Sequence, residues 1–322
     1  LKTIMRSKYS SGMRCNVMNF QILIDDTFIN TCGDVLSPSN NKSILSLVND
    51  FEDGKWRYKN FHLFIWDNIA ETSLSSKERA ALIDCSASLI SAAAENLRLV
   101  DKENDISKGS ELAEIMLYGI MKHHYGALPI VPKIFYKQNS QDNAKGADSV
   151  HLVLHGDDDF TLWFGEAKFY NSIEDARLSS IINSVGDALR TDKLRKENSI
   201  ITNINDIDLL ISNVDLRRRI KEALSPKNSI DLLKPKIHVP IFILHECQLT
   251  KVATSMSSDY IDDIVEYHKN RAIAFFKKQV ELLKDVYLYN DISFHIILFP
   301  VPDKAMIVDK FVEKVEFHKG EF

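Results

Sequence analysis

Cysteine is scarce in this chain, with four in 322 residues, at Cys15, Cys32, Cys85 and Cys247. They are scattered, with no Cys-x-x-Cys pair and no histidine pair nearby, which argues against a disulfide framework and against structural zinc. Glycine (11) and proline (8) are also sparse, so no extended disordered or low-complexity tract is expected. No apolar run approaches the ~18 residues of a membrane helix, and the first twenty residues lack a signal-peptide core, so a cytoplasmic protein is expected. Strong charge of either sign is missing too. A net charge of −5 and a pI near 6.1 exclude a protein that coats nucleic acid by bulk electrostatics, because neutralising phosphates takes clustered Lys and Arg.

What remains is an ordinary globular composition, 45% hydrophobic and 26% charged. The length allows two domains or one enlarged α/β domain. Candidate strands at 20–24 and 61–66 and a helix at 77–99 precede the polar break Asp101-Lys102-Glu103-Asn104-Asp105, where a domain boundary is expected. Beyond it, Leu112, Ile115, Met116, Gly119 and Ile120 recur at helical spacing across 110–124, and a short strand is expected around Ile134-Phe135-Tyr136. Helices are expected at 172–189, capped by Asn171 or Ser172, and at 204–224, 260–289 and 304–317, with strands at 237–244 and 292–299. This order predicts a mixed sheet flanked by helices, an α/β domain.

The chemistry concentrates near the middle. Asp148 opens the apolar run Ser149–Leu154, and Glu166-Ala167-Lys168 closes Phe160–Phe164, with the turn-forming His155-Gly156-Asp157-Asp158-Asp159 between them. The two runs predict a hairpin that brings Asp148 across from Glu166. Lys168 lies on the same strand face as Glu166, roughly 6.5 to 7 Å further along. Two carboxylates and an amine at one point suit a hard divalent cation, Mg²⁺ or Mn²⁺, held by Asp148, Glu166 and the Ala167 carbonyl. Lys168 would then orient or deprotonate an attacking water or steady a phosphate. Glu114, beside the apolar Ile115 and Met116, is a candidate to hold a metal-bound water or a second ion, whereas Glu111 reads as a surface or capping residue.

With helix-borne Glu114, Asp148 at a strand start and Glu166-Ala167-Lys168 before a further helix, the chain resembles the PD-(D/E)xK nuclease superfamily. Ala147 stands where the superfamily's name has proline. The Gly146-Ala147-Asp148-Ser149 stretch, the segment from Gly165 to Tyr170 and the overall length are similar to the HamA family of Hachiman antiphage defence. That resemblance implies a restriction-endonuclease-like fold over 105–322 and an N-terminal α+β accessory, partner-docking domain over 1–104. It also implies a Mg²⁺-dependent DNA nuclease restrained by a helicase partner, HamB. The alternative keeps the fold without the reaction: a noncatalytic assembly or DNA-sensing module whose charged trio is a structural network. An RNA-directed nuclease with the same site is a third reading.

Other signals have plainer readings. Asp157-Asp158-Asp159 lacks the ligand spacing of a calcium loop and reads as a solvated turn. His123 and His124 suit a helix C-terminus. His151 and His155 share a strand face but lack a third zinc ligand, and Asp53-Gly54-Lys55 falls in a glycine turn. Arg177, Arg190, Lys193, Arg195 and Lys196 could touch phosphates, and Arg217-Arg218-Arg219 is the stronger candidate for DNA or a partner. Trp56, Phe61, Phe64 and Trp66 form either a core or a docking surface.

Overall fold

The computed structural model describes residues 18–28, 36–99, 109–137, 146–203 and 206–320. Its strands are β1 (Gln21–Thr27), β2 (Lys42–Val48), β3 (Phe51–Glu52), β4 (Lys55–Trp56), β5 (Leu128–Val131), β6 (Ser149–His155), β7 (Asp159–Tyr170), β8 (Ile237–Glu246) and β9 (Ser293–Val301). The helices of the first half are α1 (Tyr58–Ser73), α2 (Ser76–Ala81), α3 (Ser86–Glu95), α4 (Ser110–His123) and α5 (Lys133–Lys137). Those of the second half are α6 (Asp175–Ala188), α7 (Thr191–Asn203), α8 (Asp206–Leu210), α9 (Val214–Ala223), α10 (Gln248–Val252), α11 (Ser258–Leu283) and α12 (Lys304–Lys319).

Seven strands form one mixed sheet in the order β1-β2-β9-β8-β7-β6-β5. The centre is parallel, β2 with β9, β9 with β8 and β8 with β7, and both edges are antiparallel. Parallel strands covered by helices on both faces must be apolar throughout. Accordingly β8 is buried over almost its whole length. One face packs on α6, α7, α9 and α11 through residues such as Ile181, Val185, Leu194, Ile220 and Phe275. The other packs on α1, α3, α4 and α12 through Phe61, Ala93, Leu112, Met116 and Phe311. The α/β class expected from the sequence is the one observed.

Several local expectations differ. Residues 61–66 lie in α1, not in a strand: the buried stripe Phe61, Phe64, Ile65, Asn68 and Ile69 follows a helical period under α4. The strand expected around Ile134 is α5, with β5 just before it. The helix expected over 77–99 breaks at Cys85 into α2 and α3. Likewise 204–224 is two helices, the second capped by Asn213, which accepts from the Leu216 N–H. At α6 the N-cap is Glu174, without a side-chain cap bond.

The boundary expected at 101–105 lies outside the described residues. Described residues before it supply β1 and β2 to the same sheet, and α1 and α3 share a core with α4 and α12. Cys85 and Cys247 are free thiols, while Cys15 and Cys32 lie outside the described residues. Among the described residues no helix is long and apolar enough to cross a membrane.

Candidate active site at the fork between β6 and β7

The hairpin forms as expected, with Ser149 opposite Gly165 and His155 opposite Asp159. β7 is longer than its sequence suggested. It runs on to Tyr170 by pairing with β8, so Glu166 and Lys168 lie inside a strand whose other neighbour has ended. The site sits at that fork. Asp148, one residue before β6, donates its N–H to the Gly165 carbonyl at 2.8 Å. Its Oδ2 accepts the Ala167 N–H at 3.1 Å, replacing the next rung of the ladder with a carboxylate.

Gly165 sits where α4, β6 and β8 crowd together. A Cβ there would lie 2.2 Å from Ser149 Oγ and 2.8 Å from Leu117 Cδ2, so the tight crossing requires glycine. On the other side the paired positions of β7 and β8 skip from Trp163–His238 to Glu166–Ile241 across Pro240, which has no N–H to offer.

Three of the expected residues converge. Lys168 Nζ is 3.4 Å from Asp148 Oδ2 and 3.8 Å from Glu166 Oε2. The Glu166 side chain is 5% exposed, that of Asp148 15% and that of Lys168 29%, so the pocket opens toward the amine. Burial works against the Lys168 charge, but Asp148, Glu166 and Glu114 outweigh it, and the net shift is upward. Lys168 is therefore an ammonium held between two carboxylates. Glu114 is buried on α4 at 4% exposure and lies within electrostatic reach of that ammonium. Ala167 turns its methyl into the core beneath α4. In an extended strand a residue's N–H and C=O leave on the same side, so the Ala167 carbonyl faces the Asp148 side of the fork.

The donors on offer are oxygens: two carboxylates around one point of positive charge, and a backbone carbonyl on the same strand. That set fits Mg²⁺ or Mn²⁺, which are held by one or two carboxylates and keep several waters, and does not suit zinc. Among the described residues no three His, Cys, Asp or Glu side chains form a ready-made metal cluster.

A sequence model of the HamA family matches residues 25–315. The chain belongs to the HamA family. With that membership comes a role in the Hachiman antiphage defence system. No curated protein matches the chain.

The remaining candidates fall elsewhere. Glu111 accepts the Arg98 and Leu99 N–H groups at 2.9 and 3.0 Å, tying the segment after α3 to the first turn of α4. Arg218 pairs with Asp215 at 3.0 Å, and Arg217 and Lys221 with Asp208 at 3.6 and 2.7 Å. Arg219 donates to the Asp158 carbonyl in the β6–β7 turn at 3.2 Å, so each arginine of the run has an intramolecular contact, with the Arg218 side chain 66% exposed. Asp159 of the aspartate run pairs with Lys236. His151 is buried and His155 exposed, bonding Thr161. Trp56, Phe61 and Phe64 are core. Trp66 lines an open groove of about 630 Å³ with Ile90, Lys314, Phe317 and His318.

Sequence reasoning missed Tyr170, on the same strand face as Glu166 and Lys168, whose phenol burial pushes up against the opposing pull of Lys168. It also missed the ion pair of Lys133 with Glu197. The signal was present: Leu194, Glu197, Asn198 and Ile201 share one helix face, so charged and polar groups occupy an inward stripe.

Proposed function

We propose that this chain is the nuclease subunit of its Hachiman system, a Mg²⁺-dependent deoxyribonuclease of restriction-endonuclease-like fold working in the cytoplasm under the control of a helicase partner. The observation that carries the reading is the convergence of Asp148, Glu166 and Lys168 at the fork, on the order Asp, then Glu-Ala-Lys, that the PD-(D/E)xK resemblance requires.

Asp148, Glu166 and the Ala167 carbonyl would hold the ion. When bound, Mg²⁺ polarises a water and neutralises charge developing on the scissile phosphate. The chain's own residues supply position and charge. Lys168, an ammonium between its carboxylate neighbours in the metal-free fork, is placed to draw a phosphate oxygen into the fork and to orient the attacking water. Glu114 adds buried negative charge on the α4 side, where it can accept from a water held near Lys168. The hydrogen bond from Ala167 fixes the orientation of the Asp148 carboxylate at the fork.

The test is DNA cleavage in Mg²⁺ by the purified complex carrying Glu166→Ala and Lys168→Ala. Loss of about a hundredfold or more with the fold and partner binding intact supports the reading. Undiminished cutting would sink it. RNA offered alongside DNA settles the substrate.

One observation favours a noncatalytic module: Lys168 already pairs with both carboxylates, as it would in a structural network. Mn²⁺ binding that disappears in Asp148→Asn separates the two readings in favour of the enzyme.

A further inference from the structure

A second charged group lies deeper than the trio. Lys133 on α5 is 0% exposed and Glu197 on α7 is 3% exposed, and Nζ is 2.6 Å from each carboxylate oxygen. A buried ion pair is a poor device for stability, because desolvating both charges offsets their attraction and apolar residues of similar volume do as well or better. What distinguishes this one is its neighbour. A Cβ on Gly146 would lie 2.0 Å from Glu197 Oε1, so the backbone leading to the site runs directly against the carboxylate.

Two residues on is Asp148, tied to β7 by its N–H and by its carboxylate. The entrance to β6 is thus fixed by Gly165 and Ala167 on one side and by Glu197 on the other. The pair also reaches α4: the Lys133 N–H donates to the Tyr118 hydroxyl at 3.2 Å, and Tyr118 lies one turn beyond Glu114.

We propose that Lys133 and Glu197 are positioning residues that, through the contact of Glu197 with Gly146, set the Asp148 carboxylate for a divalent cation. This rests on the nuclease reading of the trio. Ligand-supporting contacts of this kind are typically worth 10–100-fold in metal affinity.

The experiment is Mn²⁺ calorimetry with thermal melting on the full chain, comparing wild type, Asp148→Asn, the double variant Lys133→Met with Glu197→Leu, and Gly146→Ala. The double variant is expected to melt cooperatively near the wild type yet bind Mn²⁺ about tenfold or more weakly. Its DNA cleavage should recover at saturating Mn²⁺, a change in metal requirement rather than in turnover. Gly146→Ala keeps both charges and is expected to weaken Mn²⁺ binding as well, which covers a double variant that fails to fold. Mn²⁺ affinity within about twofold of wild type in either folded variant overturns the proposal. A wild type whose Mn²⁺ binding is untouched by Asp148→Asn overturns the nuclease reading and this proposal with it, so the two failures are told apart.

Discussion

The Asp148 carboxylate accepts the backbone N–H of Ala167 at 3.1 Å, doing the work of a strand partner while remaining a candidate ligand. The two duties separate by substitution. Asp148→Asn keeps an acceptor for the N–H, whereas Asp148→Ala abandons it at a cost of about 1–3 kcal/mol. Both should lose Mn²⁺ binding, but only the alanine variant should unfold at lower urea. Equal midpoints for the two would show that the Ala167 bond contributes nothing.

Glu114→Gln keeps the shape of a side chain that is 4% exposed and removes its charge. DNA cleavage is expected to fall about 10–100-fold with little change in melting temperature. Full activity in this variant would return Glu114 to a purely structural role.

Gly165→Ala forces a methyl to within 2.2 Å of Ser149 Oγ and 2.8 Å of Leu117 Cδ2, both on fully buried side chains. Overpacking of this kind costs about 1–3 kcal/mol, and here it also pushes α4 off the fork. A lowered melting temperature is the expected result, and an unchanged one would mean that α4 yields without penalty.

Acid should destabilise the fold through buried histidines. Burial lowers His151 to about 3 and His245 to about 4, and His268, hydrogen-bonded to His245 at 3.1 Å, falls well below its ordinary value. Each ring binds a proton more readily unfolded than folded. Stability is therefore fully present above the unfolded value of about 6.5 and is lost as pH falls from there toward 3 to 4. Between pH 7 and pH 5 one such ring accounts for about 2 kcal/mol. Urea midpoints should drop accordingly, and His151→Phe should remove about one ring's share of the drop. A midpoint independent of pH over this range would contradict the assignment.

The site was more legible than the sheet around it. A hairpin is a local object: alternating apolar runs, a Gly156 turn and two flanking carboxylates are read from 23 consecutive positions, 148–170, and the trio meets as they predict. The lower half of β7 was not legible, because what extends it past Phe164 is β8, whose pairing residues begin at Ile237. The same holds for β2, whose partner β9 begins at Ser293. Phe61-His62-Leu63-Phe64-Ile65 has strand composition, and only the packing of α1 on α4 makes it a helix. Broken helices at Cys85 and before Val214 are boundary effects that periodicity cannot place. Lys133 and Glu197 escaped because their pairing spans 64 residues.

β9 lies between β2 and β8, although it is the last strand in sequence among the described residues. A chain released only as far as residue 290 lacks the strand that joins β2 to β8, and any pairing among its other strands leaves two open inner edges, each a template for unwanted pairing. Emergence of Ser293–Val301 closes both edges at once and seats β8 behind Glu166 and Lys168. The platform beneath the charged trio is thus finished only once β9 has emerged, which ties any toxicity of the site to synthesis past Val301.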